Sequence, residues 1–213
     1  SQFPQEHPYT IERFLIARNY NVEKATLMLQ NHIEWRAANL PVSREEVLTE
    51  GQRGILMIKG KSKLGYQIMT ARGRMQRPKE RNLEEMLRGG IYLVEKALDE
   101  FGDKRDTLEA KFVLVFDRTN SDRSHVDTEF WKQMAHIVQD NYPERLDKIL
   151  VYPANILFRS IWAVFKWFID AKTRNKLVML ENESQLQGYI DRSQLLRNLG
   201  GKLDDTFNID RDL

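Results

Sequence analysis

Cysteine is absent from the 213 residues, which removes disulfides, thiol nucleophiles and cysteine-ligated zinc together. Missing as well is any apolar run of about 18 residues, the minimum for a membrane-spanning helix. The most apolar segment, 156–169, is interrupted by Arg159 and Lys166, so no span across a bilayer is expected. Phosphate-cradling loops of the GxGxxG or GxxxxGK[ST] type do not occur, and the glycine pairs Gly89-Gly90 and Gly200-Gly201 read as a helix interior and a helix end. Nucleotide binding is therefore disfavoured. GxSxG and HExxH are lacking too, and the four histidines, His7, His32, His125 and His136, have no metal-ligand spacing. Neither a metal nor a catalytic constellation is expected. Asp117, at the end of an apolar strand, is read as a structural acceptor for the following loop rather than an acid or base.

Charge of one sign is also lacking. Lys and Arg number 33 against 31 Asp and Glu, a net +2, far from the dense basic patch of a nucleic-acid binder. A mildly basic surface suits transient contact with anionic lipid headgroups. The opening SQFPQEHPYT is polar, holds two prolines and does not read as a secretory leader, so the expected location is cytoplasmic.

What is present in excess is apolar surface on one helix. Residues 155–169 read as helical, and steps of about 100° per residue place Leu157, Phe158, Ile161, Trp162, Val164, Phe165, Trp167, Phe168 and Ile169 around most of its circumference. Only Arg159 and Lys166 break that arc, on one narrow stripe. A helix lying on a core needs an apolar face a little over 100° wide. The surplus, five aromatics at about 25 cal/mol per Å², is at most on the order of 20 kcal/mol of unfavourable hydration. More protein, a bound apolar ligand or a membrane surface must cover it.

Along the chain, residues 9–18 and 22–35 read as two helices, and SREEVLTE as a third with a Ser43/Glu46 capping box. Residues 55–59 and 65–71 form a predicted hairpin around GKSKLG. A long helix follows Asn82 and ends at Gly102; KFVLVFD, 111–117, is a strand buried on both faces. A helix over 126–141, a strand at 149–152, the aromatic helix and a strand at 177–180 complete an α/β alternation with a parallel or mixed sheet. Residues 184–201 read as two short helices.

The segment 140–180, DNYPERLDKILVYPANILFRSIWAVFKWFIDAKTRNKLVML, resembles the core of the Sec14-like, CRAL-TRIO lipid-binding family. Members carry YPERL, a strand, an aromatic helix with Phe-Lys, and a D-x-x-T-x-x-K turn into the next strand. RFLIARNYNVEKATLMLQNHIEWR, 13–36, is similar to the family's helical lead-in, and NLGGK, 198–202, to its closing FGGK. The resemblance implies a helical N-terminal unit, 1–50, and a lipid-binding lobe, 51–213, with a mixed or parallel sheet floor and a mobile gate helix over an apolar pocket. It implies a non-enzymatic, peripherally membrane-associated monomer that encloses and transfers one phospholipid, most simply phosphatidylinositol, without nucleic acid. The matching headgroup positions are Arg18, Glu144, Thr173 and Lys176. Phe158, Ile161, Trp162, Phe165, Phe168 and Ile169 on the gate, with Phe112 and Leu114 on the floor, are the implied acyl-chain contacts.

Two positions depart from relatives. Asn19 stands where some carry a second basic residue, and Phe112-Val113-Leu114 replaces the Ser and Thr with which phosphatidylcholine-holding relatives meet a phosphate. A carrier of a retinoid, tocopherol or sterol-like compound, and a CRAL-TRIO interaction or regulatory module, are the alternatives within the same fold.

Overall fold

The structure, a computed structural model, describes residues 3–213. Asparagine and aspartate caps set most of its helix starts. Asn21 opens α2 (Val22–Asn39), Asn82 opens α4 (Leu83–Asp99) and Asp127 opens α5 (Thr128–Asn141). In each, the side chain accepts a hydrogen bond from the backbone N–H three residues on, satisfying a donor that the first turn leaves free. Before them, α1 (Pro8–Ala17) starts at His7 with proline at its first position. α1 and α2 close on Phe14, Met28 and Leu29, a small core separate from the rest. The expected capping box is present: Ser43 N–H donates to Glu46 at 2.6 Å and Glu46 N–H to Ser43 at 3.4 Å. The segment it opens is split between a 3₁₀ turn, Glu45–Val47, and a one-turn helix, α3 (Leu48–Gly51).

Five strands, β1 (Leu56–Lys61), β2 (Gln67–Arg72), β3 (Phe112–Asp117), β4 (Leu146–Tyr152) and β5 (Leu177–Met179), form one sheet in chain order. β1 and β2 are the antiparallel hairpin; the other pairs are parallel. When parallel strands follow in sequence, uniformly right-handed crossovers put every connecting helix on the same face. That face carries α4, α5 and α6 (Ile156–Phe165), whose side chains meet around one cavity. Gly90 lets α4 and α5 approach closely, since a Cβ there would lie 2.6 Å from the Met134 sulfur.

The opposite face has no crossover helix, and the segment that follows β5 covers it. Leu180, Leu186, Ile190, Leu195, Leu196 and Leu199 pack on Met57, Ile68, Val113, Val115 and Leu150. Two short helices were expected here. The structure has one four-residue helix, α8 (Glu183–Leu186), and 3₁₀ turns at Arg192–Gln194 and Arg197–Leu199. Backbone bonds between turns hold the cover in place, among them Leu203 N–H to Leu195 at 2.9 Å. Gly201 permits that path: a Cβ there would meet the Leu195 carbonyl oxygen at 1.8 Å. A last short helix, α9 (Ile209–Asp212), returns toward β1.

The aromatic helix is shorter than its sequence pattern. α6 spans Ile156–Phe165, a 3₁₀ turn takes Lys166–Phe168, and Ile169 is extended and buried. The cause is Asp170, which accepts from Thr173 N–H at 2.9 Å and caps a new helix, α7 (Ala171–Asn175), forcing the preceding residue out of helical geometry.

Candidate functional site

β3 alternates, so Phe112, Leu114 and Phe116 face the helices while Val113 and Val115 face the cover. In β4 the register against β3 shifts by one residue beside Phe112. The shift brings Leu146 and Ile149, three apart, onto the helix side together. Over this floor, α5 supplies Trp131, Met134 and Val138, and α6 supplies Phe158, Ile161, Trp162 and Phe165. They enclose a cavity of about 150 Å³ with an almost wholly apolar wall. α6 roofs it loosely: none of its residues is buried, Ile156 is 83% exposed, and Trp167 in the turn beyond is 74% exposed. Of the eight expected acyl contacts, seven line this cavity: Phe158, Ile161, Trp162, Phe165, Ile169, Phe112 and Leu114.

Phe168 goes elsewhere. The 3₁₀ turn rotates it out of the helical arc, and it lies beneath the Lys132 ammonium at 4.2 Å, lining a neighbouring polar recess with Trp167. This recess, about 340 Å³, brings together Arg18, Glu144, Thr173 and Lys176. It shares a wall with the apolar cavity, built from Val138, Gln139, Leu146, Ile169 and Thr173. An amphiphile with its tail in one hollow would have its head in the other.

Each of the four polar residues is placed by local backbone geometry. Arg18 ends α1, and the next two residues, Asn19 and Tyr20, turn the chain through left-handed conformations at φ 51° and 61°. Among the described residues Arg18 makes no ion pair. Glu144 is itself left-handed, at φ 61°, a conformation that costs a non-glycine residue free energy and is retained beside binding sites. Its carboxylate lies 3.9 Å from the Lys176 ammonium. The next residue, Arg145, turns inward and donates to the Thr107 and Ala110 carbonyls at 2.9 and 3.0 Å. Burial pushes its guanidinium down to about 9.

Thr173 donates its hydroxyl to Asp170 at 2.7 Å. Burial lowers the Lys176 pKa, and Glu144 opposes that shift. Lys176 thus keeps a cation in a partly dry recess, with Glu144 loosely placed at 3.9 Å and Asp170 and Asp147 farther off, an arrangement that can accept an incoming anion.

Several recess residues escaped the sequence, among them Gln139, Asp140, Asp170 and Lys172. Gln139 accepts from Asp170 N–H at 2.6 Å, and Lys172 donates to the Ile16 carbonyl, strapping α7 to the end of α1. On a helical wheel Gln139 looks like an ordinary solvated position, and nothing in the sequence pairs Lys172 with Ile16. Asp117, fully buried, accepts from Thr119 N–H at 2.9 Å, Arg74 at 2.6 Å and Asn198 at 2.7 Å, the structural role expected of it. Among the described residues no group of three or more His, Cys, Asp or Glu could hold a metal ion. None of the described helices is long and apolar enough to cross a membrane.

The CRAL/TRIO domain family matches residues 51–201, and the chain belongs to that family. A CRAL-TRIO domain-containing protein of Schizosaccharomyces pombe is 27% identical over 212 residues, covering 92% of this chain and 58% of that protein. The human tyrosine-protein phosphatase non-receptor type 9 is 25% identical, over 89% of this chain and 32% of its own length. Phosphatidylinositol transfer protein CSR1 of Eremothecium gossypii is 23% identical, over 93% and 47%. The chain therefore spans between about a third and three-fifths of these relatives. Among solved structures, Sfh5 superposes with a TM-score of 0.74 at 20% identity, over 96% of this chain and 74% of that one. This is a likeness of fold.

Proposed function

We propose that this chain is a lipid-binding domain that encloses one phospholipid, phosphatidylinositol foremost, and exchanges it at membrane surfaces as a monomer. The observation that carries this reading is the shared wall between the apolar cavity and the recess of Arg18, Glu144, Thr173 and Lys176. A phosphate seated there would take the Thr173 hydroxyl from Asp170 and the Lys176 ammonium from Glu144. An inositol hydroxyl would donate to the released carboxylate. Leaving a bilayer deprives a two-chain phospholipid of acyl burial worth roughly 20 to 25 kcal/mol, at about 0.8 per CH₂.

A hollow of about 150 Å³, the size that admits benzene, is too small to return that burial. Loading then requires α6 to act as a lid and swing away from the sheet. Its exposed Ile156 and Val164 with Arg159, and Lys166 and Trp167 in the turn beyond, suit contact with headgroups and acyl chains during that step. The lipid is cargo; the reading assigns no cofactor and no catalytic step.

The test is extraction of the purified protein, identification of co-purifying lipid by mass spectrometry, and vesicle-to-vesicle transfer assays. Thr173→Ala combined with Lys176→Ala is expected to cut phosphatidylinositol transfer about tenfold or more, the cost of losing a charge-assisted contact. Undiminished transfer by that variant would defeat the headgroup assignment. The almost wholly apolar wall of the cavity supports a second reading, a carrier of a hydrophobe such as a retinoid, tocopherol or sterol-like compound, which would also require α6 to lift. Its signature is binding indifferent to changes at Glu144 and Lys176.

A further inference from the structure

The lid's two ends are held differently. Beyond its C-terminal end, Asp170 N–H donates to Gln139 at 2.6 Å, a neutral bond with both groups satisfied. Midway, Arg159 meets Glu181 at 2.8 Å in solvent. At the N-terminal end the partner is Arg118, just beyond β3, whose backbone N–H extends the ladder to the Tyr152 carbonyl at 2.7 Å. Its Nη1 donates to the side-chain oxygen of Asn155 at 3.2 Å, and Asn155 in turn caps α6 by accepting from Phe158 N–H at 3.1 Å. The guanidinium carbon lies 5.2 Å from the centre of the Phe158 ring.

Arg118 is 8% exposed, and its Nη2 is buried with no acceptor. Among the described residues no counter-ion serves it. The adjacent carboxylate, Asp117, is already engaged by Arg74, Asn198 and Thr119. Burial lowers the Arg118 pKa and no carboxylate raises it again. An unpaired buried cation is unfavourable; an aromatic face and one amide oxygen offset that only in part. When α6 lifts, Phe158 and Asn155 leave with it and water reaches the guanidinium.

We propose that Arg118 is a positioning residue that keeps the lid openable: its uncompensated charge at the root of α6 penalises the closed form and is relieved in the open one. This rests on the reading of α6 as a lid. The rival role, a simple latch through Asn155, makes an opposite prediction for one of two variants. R118M keeps the apolar stem and removes the charge, and N155D supplies the missing carboxylate while retaining the helix cap. If the charge holds the lid poised, both changes favour closure. If Arg118 is only a latch, R118M loosens α6 and N155D tightens it.

The primary measurement is hydrogen exchange of residues 156–168 in lipid-free protein, with R118Q as a second neutral replacement should R118M fail to fold. Exchange is expected to slow about tenfold in R118M, or R118Q, and in N155D, with exchange in β3 and β4 unchanged. Faster or unaltered exchange in the neutral variants overturns the proposal. Vesicle-to-vesicle lipid transfer, measured in parallel, is expected to slow by the same factor. Slowed exchange in a protein that carries no lipid would sink the cargo reading and leave the lid inference standing.

Discussion

Val113, Val115 and Leu150 alternate with Phe112, Leu114 and Ile149 along the same two strands, yet the two sets meet different surroundings. The first set lies under a cover of leucines and isoleucine, every one of them buried. The second lies under α5 and α6 with a cavity left between. One face of the sheet is spent on stability, and the other is kept under-packed so that something can enter. Interiors ordinarily pack to crystal-like density. A hollow maintained beside a dense layer of the same sheet therefore marks where the chain forgoes stability for binding.

The sharpest way to break this comparison is a matched truncation. Leu150→Ala, on the dense face, is expected to cost roughly 3 kcal/mol, because the fully buried site cannot collapse around the lost atoms. Leu114→Ala, on the hollow face, removes a side chain that is only partly buried and already borders a cavity, so fewer contacts are lost and the cost should be about 2 kcal/mol, the low end for such truncations. Denaturant unfolding measures both, and equal losses would mean the faces do not differ.

A smaller effect concerns how the helical pair is clasped to the hollow side. His32 bonds Asn141 at 3.2 Å, and Trp35 meets Tyr142 edge-on with ring centres 5.8 Å apart. Burial lowers the His32 pKa from 6.5, opposed by Asn141 and Glu6 and reinforced by Arg36 and Arg13. The unfolded chain binds a proton below about 6.5 that the folded imidazole refuses. Stability should therefore fall as pH drops from 6.5, by up to about 1.4 kcal/mol per unit until the folded pKa is reached. His32→Gln should flatten that slope in pH-dependent melting; an unchanged slope would assign it to other groups.

The smallest expected effect sits in the recess. Lys176→Met removes a cation whose burial is unfavourable, so the variant should be more stable than its parent by about 1 kcal/mol or less at neutral pH. Anionic-lipid binding should weaken at the same time. The gain should fade as pH rises toward 10.5, where the parent's lysine also loses its proton. Lower stability of Lys176→Met at neutral pH would show the recess to be structural.

Much of the hollow face was legible in the chain. The over-wide apolar arc announced a helix with nothing dense above it, and the family resemblance placed Phe112 and Leu114 beneath. Arg18, Glu144, Thr173 and Lys176 came together through resemblance rather than spacing, since no local pattern brings the end of α1 to α7. The dense face was barely legible. Leu186, Ile190, Leu195 and Leu199 sit on a one-turn helix, bends and a 3₁₀ segment with neither a sustained 3.6 nor a 2.0 period, so no periodicity reveals their common side. Phe168 was misplaced because a helical projection cannot foresee a cap at Asp170 that ends the helix early. Arg118 gave no signal at all: an arginine after a strand reads as solvated until the lid above it is seen.

Because the strands pair in chain order, a ribosome delivering this protein presents each of β2 to β5 to an edge already formed, keeping loop closures short and early contacts local. The exception comes last. The segment after β5 must travel back across the whole sheet, where Tyr189 and Gln194 accept from the backbone of residues 63 and 61 beside β1. Until that return is complete the nascent chain carries a bare apolar sheet face, and this is the interval in which it most needs a chaperone.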